Sequence, residues 1–183
     1  IKKEAANMAG LINDILMISR LEAKDAEVLV SDVRISPLLE DIVDSLKPAA
    51  ADSQVFVHID CQPLCVRANP QQMKELLSNL VGNAVKYNHP GGQVWVNIRE
   101  QDENIVIRVR DNGVGIPQES LDRIFERFYR VDKGRSRKQG GTGLGLSIVK
   151  HIVNFYHGSI RVTSELEKGT EFTVMIPVKW EEL

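Results

Sequence analysis

Apolar residues recur at helical spacing from Gln71 to Asn88 (QQMKELLSNLVGNAVKYN), where Met73, Leu76, Leu77, Leu80, Val81, Ala84 and Val85 line one broad face. Asn69 suits the N-cap, Pro70 the first turn, and Gln72 stands where a capping box takes Glu or Gln. The rest of the chain is organised around this helix. Upstream, Ile1 to Lys24 has helical spacing too, with Met8, Leu11, Ile12, Ile15, Leu16 and Ile18 covering an arc of about 160°. That is wider than a coiled-coil seam and suits a helix bundle, so a partner helix is expected outside the chain. Asp25 to Asp32 reads as a linker. Val33-Arg34-Ile35 predicts a short strand before Ser36-Pro37, then an amphipathic helix over Leu38 to Asp52 and a strand over Val55 to Ile59. An extended piece near Val66 leads into the organising helix.

Beyond Gly91-Gly92 the period changes to two. Val94, Val96 and Ile98 alternate, Gln101 to Glu103 turn, and Ile105, Ile107 and Val109 alternate again. Leu144 to Tyr156 predicts another apolar helix. Ile160 and Val162, then Phe172, Val174 and Ile176, predict a closing strand pair before Pro177. Together these imply an α+β fold, a mixed sheet covered by helices on one face.

Composition changes this picture little. The 183 residues carry a formal charge of −2, which argues against a bulk polyanion binder. No apolar run approaches a membrane span, no signal peptide is visible, and a start in mid-helix reads as a fragment. Cys61 and Cys65 suggest no disulfide framework, and a reduced cytoplasmic setting is expected. With His58 they form H-x-x-C-x-x-x-C, which lacks a fourth metal ligand nearby.

Four stretches carry candidate chemistry. Asn79, Asn83 and Lys86 fall together in an arc of roughly 60° beside the apolar face of the organising helix, with Tyr87 on its border. An ordinary solvated face explains them as well until the other stretches are added. Asp111 continues the parity of Ile105, Ile107 and Val109, so it points to the apolar side of its strand, where an unpaired charge is expensive. There it is placed to accept a hydrogen bond from an amino group such as adenine N6. Asn112-Gly113-Val114-Gly115-Ile116-Pro117 follows, with two glycines that let backbone approach a flat ligand; a plain strand-ending turn is the alternative.

Gly140-Gly141-Thr142-Gly143-Leu144-Gly145 opens the next helix, where amide donors and the positive dipole end suit phosphates; a hinge is the alternative. The spacing fits neither a P-loop nor a dinucleotide fingerprint. Between these lies Phe125-Glu126-Arg127-Phe128-Tyr129-Arg130, then Val131 to Gln139 with Lys133, Arg135, Arg137 and Lys138. The segment reads as a lid over a polyphosphate, with Phe125 and Phe128 docking it. A solvated loop or a nucleic-acid patch are the alternatives.

In this order, Asn79–Tyr87 (NLVGNAVKY), Asp111–Gly115 (DNGVG), Phe125–Arg130 (FERFYR) and Gly141–Leu146 (GTGLGL) resemble the N, G1, F and G2 boxes of sensor histidine kinases of two-component systems. EKGTEFTVMIP, ending at Pro177, resembles that family's closing hairpin. The resemblance implies a Bergerat-type α/β sandwich over residues 28–183. Residues 1–27 would then be the second helix of the dimerisation and phosphoacceptor hairpin, with its linker. It implies ATP and Mg²⁺ as cofactors. Asn83 would supply an oxygen to Mg²⁺, with Asn79 as a second candidate. Lys86, Tyr87 and Arg130 would reach the phosphates, Asp111 the adenine amine, and Thr170 a water near the adenine. Gly113, Gly115, Ile116, Phe128, Gly141, Thr142, Gly143, Leu144, Gly145 and Leu146 complete the implied ATP-binding set.

Two departures bear on the reaction. Related chaperone, topoisomerase and mismatch-repair ATPases carry a Glu where Asn79 stands, and Asn is a poor general base, so phosphoryl transfer is favoured over hydrolysis. The family's phosphoacceptor His, followed by an acidic residue, is matched by none of His58, His89, His151 and His157. The expected function is therefore transfer of the ATP γ-phosphoryl group to a His upstream of this chain, and thence to a response regulator receiver domain. No self-phosphorylation and no nucleic-acid partner are expected. The implied parent is a homodimeric membrane sensor with this part in the cytoplasm. An ATP hydrolase of the same superfamily, or a nucleotide-binding docking module, are the alternatives.

Overall fold

The computed structural model of the chain describes residues 29–131 and 142–178, together with Ile12. The expected N-terminal helix and most of the basic lid lie outside the described residues, so the 27/28 domain boundary stays an expectation. Ser31–Arg34 (β1) and Cys65–Ala68 (β3) form a small antiparallel pair, running from Ser31 opposite Ala68 to Arg34 opposite Cys65. The expected linker thus ends before Ser31.

The main sheet has five strands: Phe56–Cys61 (β2), Gln93–Gln101 (β4), Asn104–Asp111 (β5), Ser159–Glu165 (β6) and Gly169–Pro177 (β7). Their order is β2-β4-β5-β7-β6, with β2 parallel to β4 and every other pair antiparallel. Three helices pack against this sheet: Ile35–Asp52 (α1), Pro70–Lys86 (α2) and Gly145–Phe155 (α3). Val94, Val96 and Ile98 of β4, Ile105, Ile107 and Val109 of β5, and Phe172, Val174 and Ile176 of β7 share one buried cluster with Leu39, Leu76, Leu80, Ile148 and Ile152. Strand alternation and helical periodicity therefore meet on one face of the sheet, as expected of an α+β sandwich.

Element ends differ from expectation for local reasons. Helix α1 begins at Ile35, three residues before the expected Leu38, because the first helical N–H groups need no intrahelical partner and Pro37 fits among them. Ile35 N–H donates instead to Leu64 carbonyl at 3.0 Å. Strand β2 runs on to Cys61 because its parallel register continues to Cys61 opposite Ile98. Helix α2 stops at Lys86, since the Asn88 carboxamide donates to both Ala84 and Gln93 carbonyls, turning the chain toward β4. Between β4 and β5, Asp102 and Glu103 take φ of 50° and 59°, a turn whose twist matches a tight hairpin.

The capping of α2 is only half as expected. Asn69 Oδ1 accepts from Gln72 N–H at 3.0 Å, but the Gln72 side chain does not return to Asn69. The fully buried Tyr156, at the end of α3, stands between them: its hydroxyl donates to Gln72 Oε1 and accepts from Asn69 N–H at 2.9 Å. The start of α2 is thereby tied to the end of α3.

Candidate nucleotide site

Helix α2 gathers the candidate residues. Its C-terminal end carries Asn83, Lys86 and Tyr87 on partly exposed positions beside the buried Leu80, Ala84 and Val85. The loop after β5 packs on that end, with Val114 N–H donating to Tyr87 carbonyl at 3.1 Å. A Cβ on Gly113 would overlap the same carbonyl. Midway along α2, Asn79 donates from Nδ2 to Glu75 carbonyl at 2.8 Å and turns Oδ1 toward Gly145, the first residue of α3. Asn83, one turn on, has no hydrogen-bond partner for its carboxamide among the described residues. Lys86 Nζ lies 5.1 Å from the centroid of the Tyr87 ring.

Asp111 is buried, with 8% of its surface exposed. Strand parity brings it onto one rung with Thr170 and Ser164, at the inner face of β5, β7 and β6. Asp111 Oδ1 accepts from Gly113 N–H at 2.8 Å and Thr170 N–H at 3.2 Å, while no described group donates to Oδ2. Burial pushes its carboxyl above the ordinary aspartate value. The two amide donors and the nearby His89 oppose that rise. Ser164 Oγ lies 2.9 Å from Thr170 Oγ1, donates to Gly169 carbonyl and accepts from Ile116 N–H at 2.8 Å. Sequence reasoning missed Ser164, although it continues the inward parity of Ile160 and Val162, the signal that marked Asp111.

The glycines of the loop after β5 sit where backbone segments crowd together. Gly115 has φ +69°, and a Cβ there would overlap Glu165 carbonyl. The side-chain positions of both Gly113 and Gly115 are thus occupied by the chain's own backbone. The requirement for glycine here comes from three backbone segments meeting under Asp111.

The aromatic segment after the loop meets the start of α3. Phe128 N–H donates to Gly143 carbonyl at 2.9 Å, and Gly143 has φ +76°. Phe125 packs edge-on to Phe172 with centroids 6.5 Å apart, while Phe128 is 60% exposed. Tyr129 hydroxyl donates to Ser120 Oγ at 3.0 Å. Arg130 has Nε and Nη2 buried without a hydrogen-bond partner among the described residues. Such orphaned donors are costly unless an acceptor reaches them. Helix α3 begins with no side chain capping it, although Thr142 Oγ1 accepts from Leu144 N–H at 3.2 Å. Leu146 is partly exposed in its first turn, and Gly141 lies outside the described residues.

The H-x-x-C-x-x-x-C stretch stands apart from this site. His58 stacks on Trp95 with centroids 6.0 Å apart, and burial raises the Cys61 thiol above its ordinary value, opposite to what a metal thiolate needs. Among the described residues no group of three His, Cys, Asp or Glu is placed to hold a metal ion, and no helix is long and apolar enough to cross a membrane.

Residues 68–179 match the family described as histidine kinase-, DNA gyrase B-, and HSP90-like ATPase. Sensor histidine kinase WalK of Bacillus subtilis is 35% identical over 99% of this chain and 30% of its own length. Sensor histidine kinase RppB of Synechocystis is 36% identical over 97% of this chain and 40% of its own. The chain therefore spans about a third of the length of these curated relatives. Full-length ShkA, solved in complex with AMPPNP, superposes with a TM-score of 0.81 at 28% identity, over 98% of this chain and 38% of that one. The mycobacterial sensor histidine kinase MprB gives a TM-score of 0.71 at 25% identity, over 81% of this chain and 97% of that one. The chain belongs to the histidine kinase-, DNA gyrase B- and HSP90-like ATPase family, and within it corresponds to the catalytic domain of sensor histidine kinases.

Proposed function

We propose that this domain binds ATP with Mg²⁺ along α2 and transfers the γ-phosphoryl group to a histidine outside the chain. The observation that carries the reading is Asp111. A buried carboxylate with both internal hydrogen bonds on Oδ1 leaves Oδ2 for an amino donor. Adenine offers such a donor at N6, whereas guanine offers an oxygen there and would be repelled. Ser164 and Thr170, on the same rung, are placed to hold a water beside the base.

The phosphate end follows from the cations. Arg130 has two buried donors without acceptors among the described residues, which phosphate oxygens would satisfy. Lys86 and Tyr87 lie at the end of α2, and the uncapped start of α3 offers amide donors with a favourable dipole. Gly143, Leu144, Gly145 and Leu146 would line that end, with Gly141 and Thr142 leading into it.

The donor set fits magnesium. Asn83 offers a neutral carboxamide with no partner among the described residues, which suits an ion that keeps most of its ligands as water and phosphate. Bound there, Mg²⁺ would neutralise phosphate charge during transfer. Asn79 is less free, because its amide is held by Glu75 carbonyl and its oxygen faces Gly145.

An asparagine so held is no general base for water, which supports transfer over hydrolysis. The acceptor histidine, a homodimeric hairpin and a response regulator receiver domain as the next acceptor belong to this reading, as does attachment of the parent to a membrane. Calorimetric titration with ATP and GTP tests it first. A clear preference for ATP that Asp111→Asn abolishes is expected, and equal affinity for the two nucleotides would remove the adenine assignment.

A further inference from the structure

The helices cover one face of the main sheet, and the other face carries a pattern unrelated to the nucleotide. Register places His58, Trp95, Arg110, Glu171 and Thr163 on one outward rung across β2-β4-β5-β7-β6. The next outward rung holds Asp60, Asn97, Arg108, Thr173 and Arg161. Trp95 lies between the His58 ring and the Arg110 guanidinium, whose central carbon is 5.6 Å from the indole. Trp95, Asn97, Arg99, Arg108, Arg110 and Glu171 line one shallow depression.

Charge on this face runs against that of the chain. The 183 residues sum to −2, yet the two rungs with the adjoining Arg99 present four arginines against Asp60 and Glu171. Asp60 is committed to Arg99 at 2.6 Å and to Asn97 at 2.8 Å. Arg108 and Arg161 have no ion-pair or hydrogen-bond partner among the described residues, and Arg110 has only the indole face. The backbone beneath Arg108 and Arg110 is fixed by strand pairing on both sides, and that beneath Arg161 by pairing with β7, so little ordering is needed to bind.

We propose that this open face docks an acidic protein segment, its carboxylates pairing with Arg108, Arg110 and Arg161 while its apolar positions lie on Trp95. Planar guanidinium groups match carboxylates in a bidentate way, and Trp and Arg are the residue types that dominate interface energetics. A nucleic-acid strand fits less well. Glu171 sits within the depression and would face its phosphates, whereas a peptide can place an uncharged residue there. The face lies across the sheet from the helices that carry the nucleotide residues, so docking and nucleotide binding should coexist.

The test uses the whole chain and a fluorescein-labelled peptide of alternating glutamate and leucine, read by anisotropy with and without saturating ATP and Mg²⁺. Binding to the unmutated protein is expected, weakening with added salt and unchanged by nucleotide. Arg108→Glu with Arg161→Glu should lower peptide affinity at least about tenfold. Arg108→Gln, a milder change, should lower it less, and both variants should keep their ATP affinity. Absence of peptide binding, equal binding by the double variant, competition by ATP, or tighter binding of an equally charged oligothymidine would each overturn the proposal. Because ATP titration is run on the same variants, failure here is distinguishable from failure of the nucleotide assignment.

Discussion

Asn79 and Gly145 share one joint: a Cβ on Gly145 would overlap Asn79 Oδ1 and lie 3.1 Å from its Cγ. The start of α3 therefore sits against the Asn79 carboxamide, which would have to shift to admit a side chain at residue 145. Gly145→Ala should push the two apart, at an overpacking cost of about 1–3 kcal/mol. ATP affinity should fall roughly tenfold or more, which is about 1.4 kcal/mol. Asn79→Ala in the same protein should restore part of the stability. Denaturant midpoints of the two single variants and the double variant measure this coupling, and simple additivity would show that the joint does not exist.

Asp111→Asn should separate stability from binding. The variant keeps an oxygen for Gly113 and Thr170 N–H but places an amide donor where Oδ2 stood. ATP affinity should fall by about 1.5–3 kcal/mol, the contribution of a hydrogen bond to a charged group. Stability should move the other way near neutral pH. The carboxyl is raised in the folded state, so folding holds its proton more tightly than the unfolded chain does. That group's stabilising contribution is full below the unfolded value, and is lost as pH rises through the raised folded one. Urea titrations across that window should show a decline in the unmutated protein that is reduced in the variant. An unchanged pH profile would contradict this.

Tyr156→Phe removes one hydroxyl that serves the buried Gln72 Oε1 and the partly buried Asn69 N–H. Each lost bond leaves a polar group unsatisfied, and stability should drop by about 1–3 kcal/mol. Chemical denaturation measures it, and a change within a few tenths would mean the groups find other partners.

Asn83→Ala should weaken ATP binding only where Mg²⁺ is present. Parallel calorimetric titrations in magnesium and in chelator give the readout, and an equal loss in both would remove the metal role of Asn83.

Much of this arrangement was legible from local pattern, because the core faces of α2, β4, β5 and β7 follow helical and strand periods. Asp111 was legible by parity alone, and the same parity holds for Ser164 and Thr170. What was missed depends on contacts far apart in sequence. Nothing near Gln72 announces that Tyr156 would intercept its capping bond, since only the packing of α3 on α2 brings them together. Nor does the local sequence show that Glu165 backbone lies beside Gly115, which follows only from the packing of distant segments. The outward arginine rungs likewise emerge only once β2, β4, β5, β7 and β6 are set side by side.

Phosphoryl transfer to a histidine beyond this chain would be catalysed by positioning rather than by an activated water. Incubation with γ-labelled ATP and Mg²⁺, with and without a phosphoacceptor hairpin supplied in trans, tests it directly. The chain alone should release phosphate slowly and take up no stable label, and the added hairpin should gain an acid-labile, base-stable phosphoryl group. Brisk phosphate release without the hairpin, together with no labelling in its presence, would contradict the account.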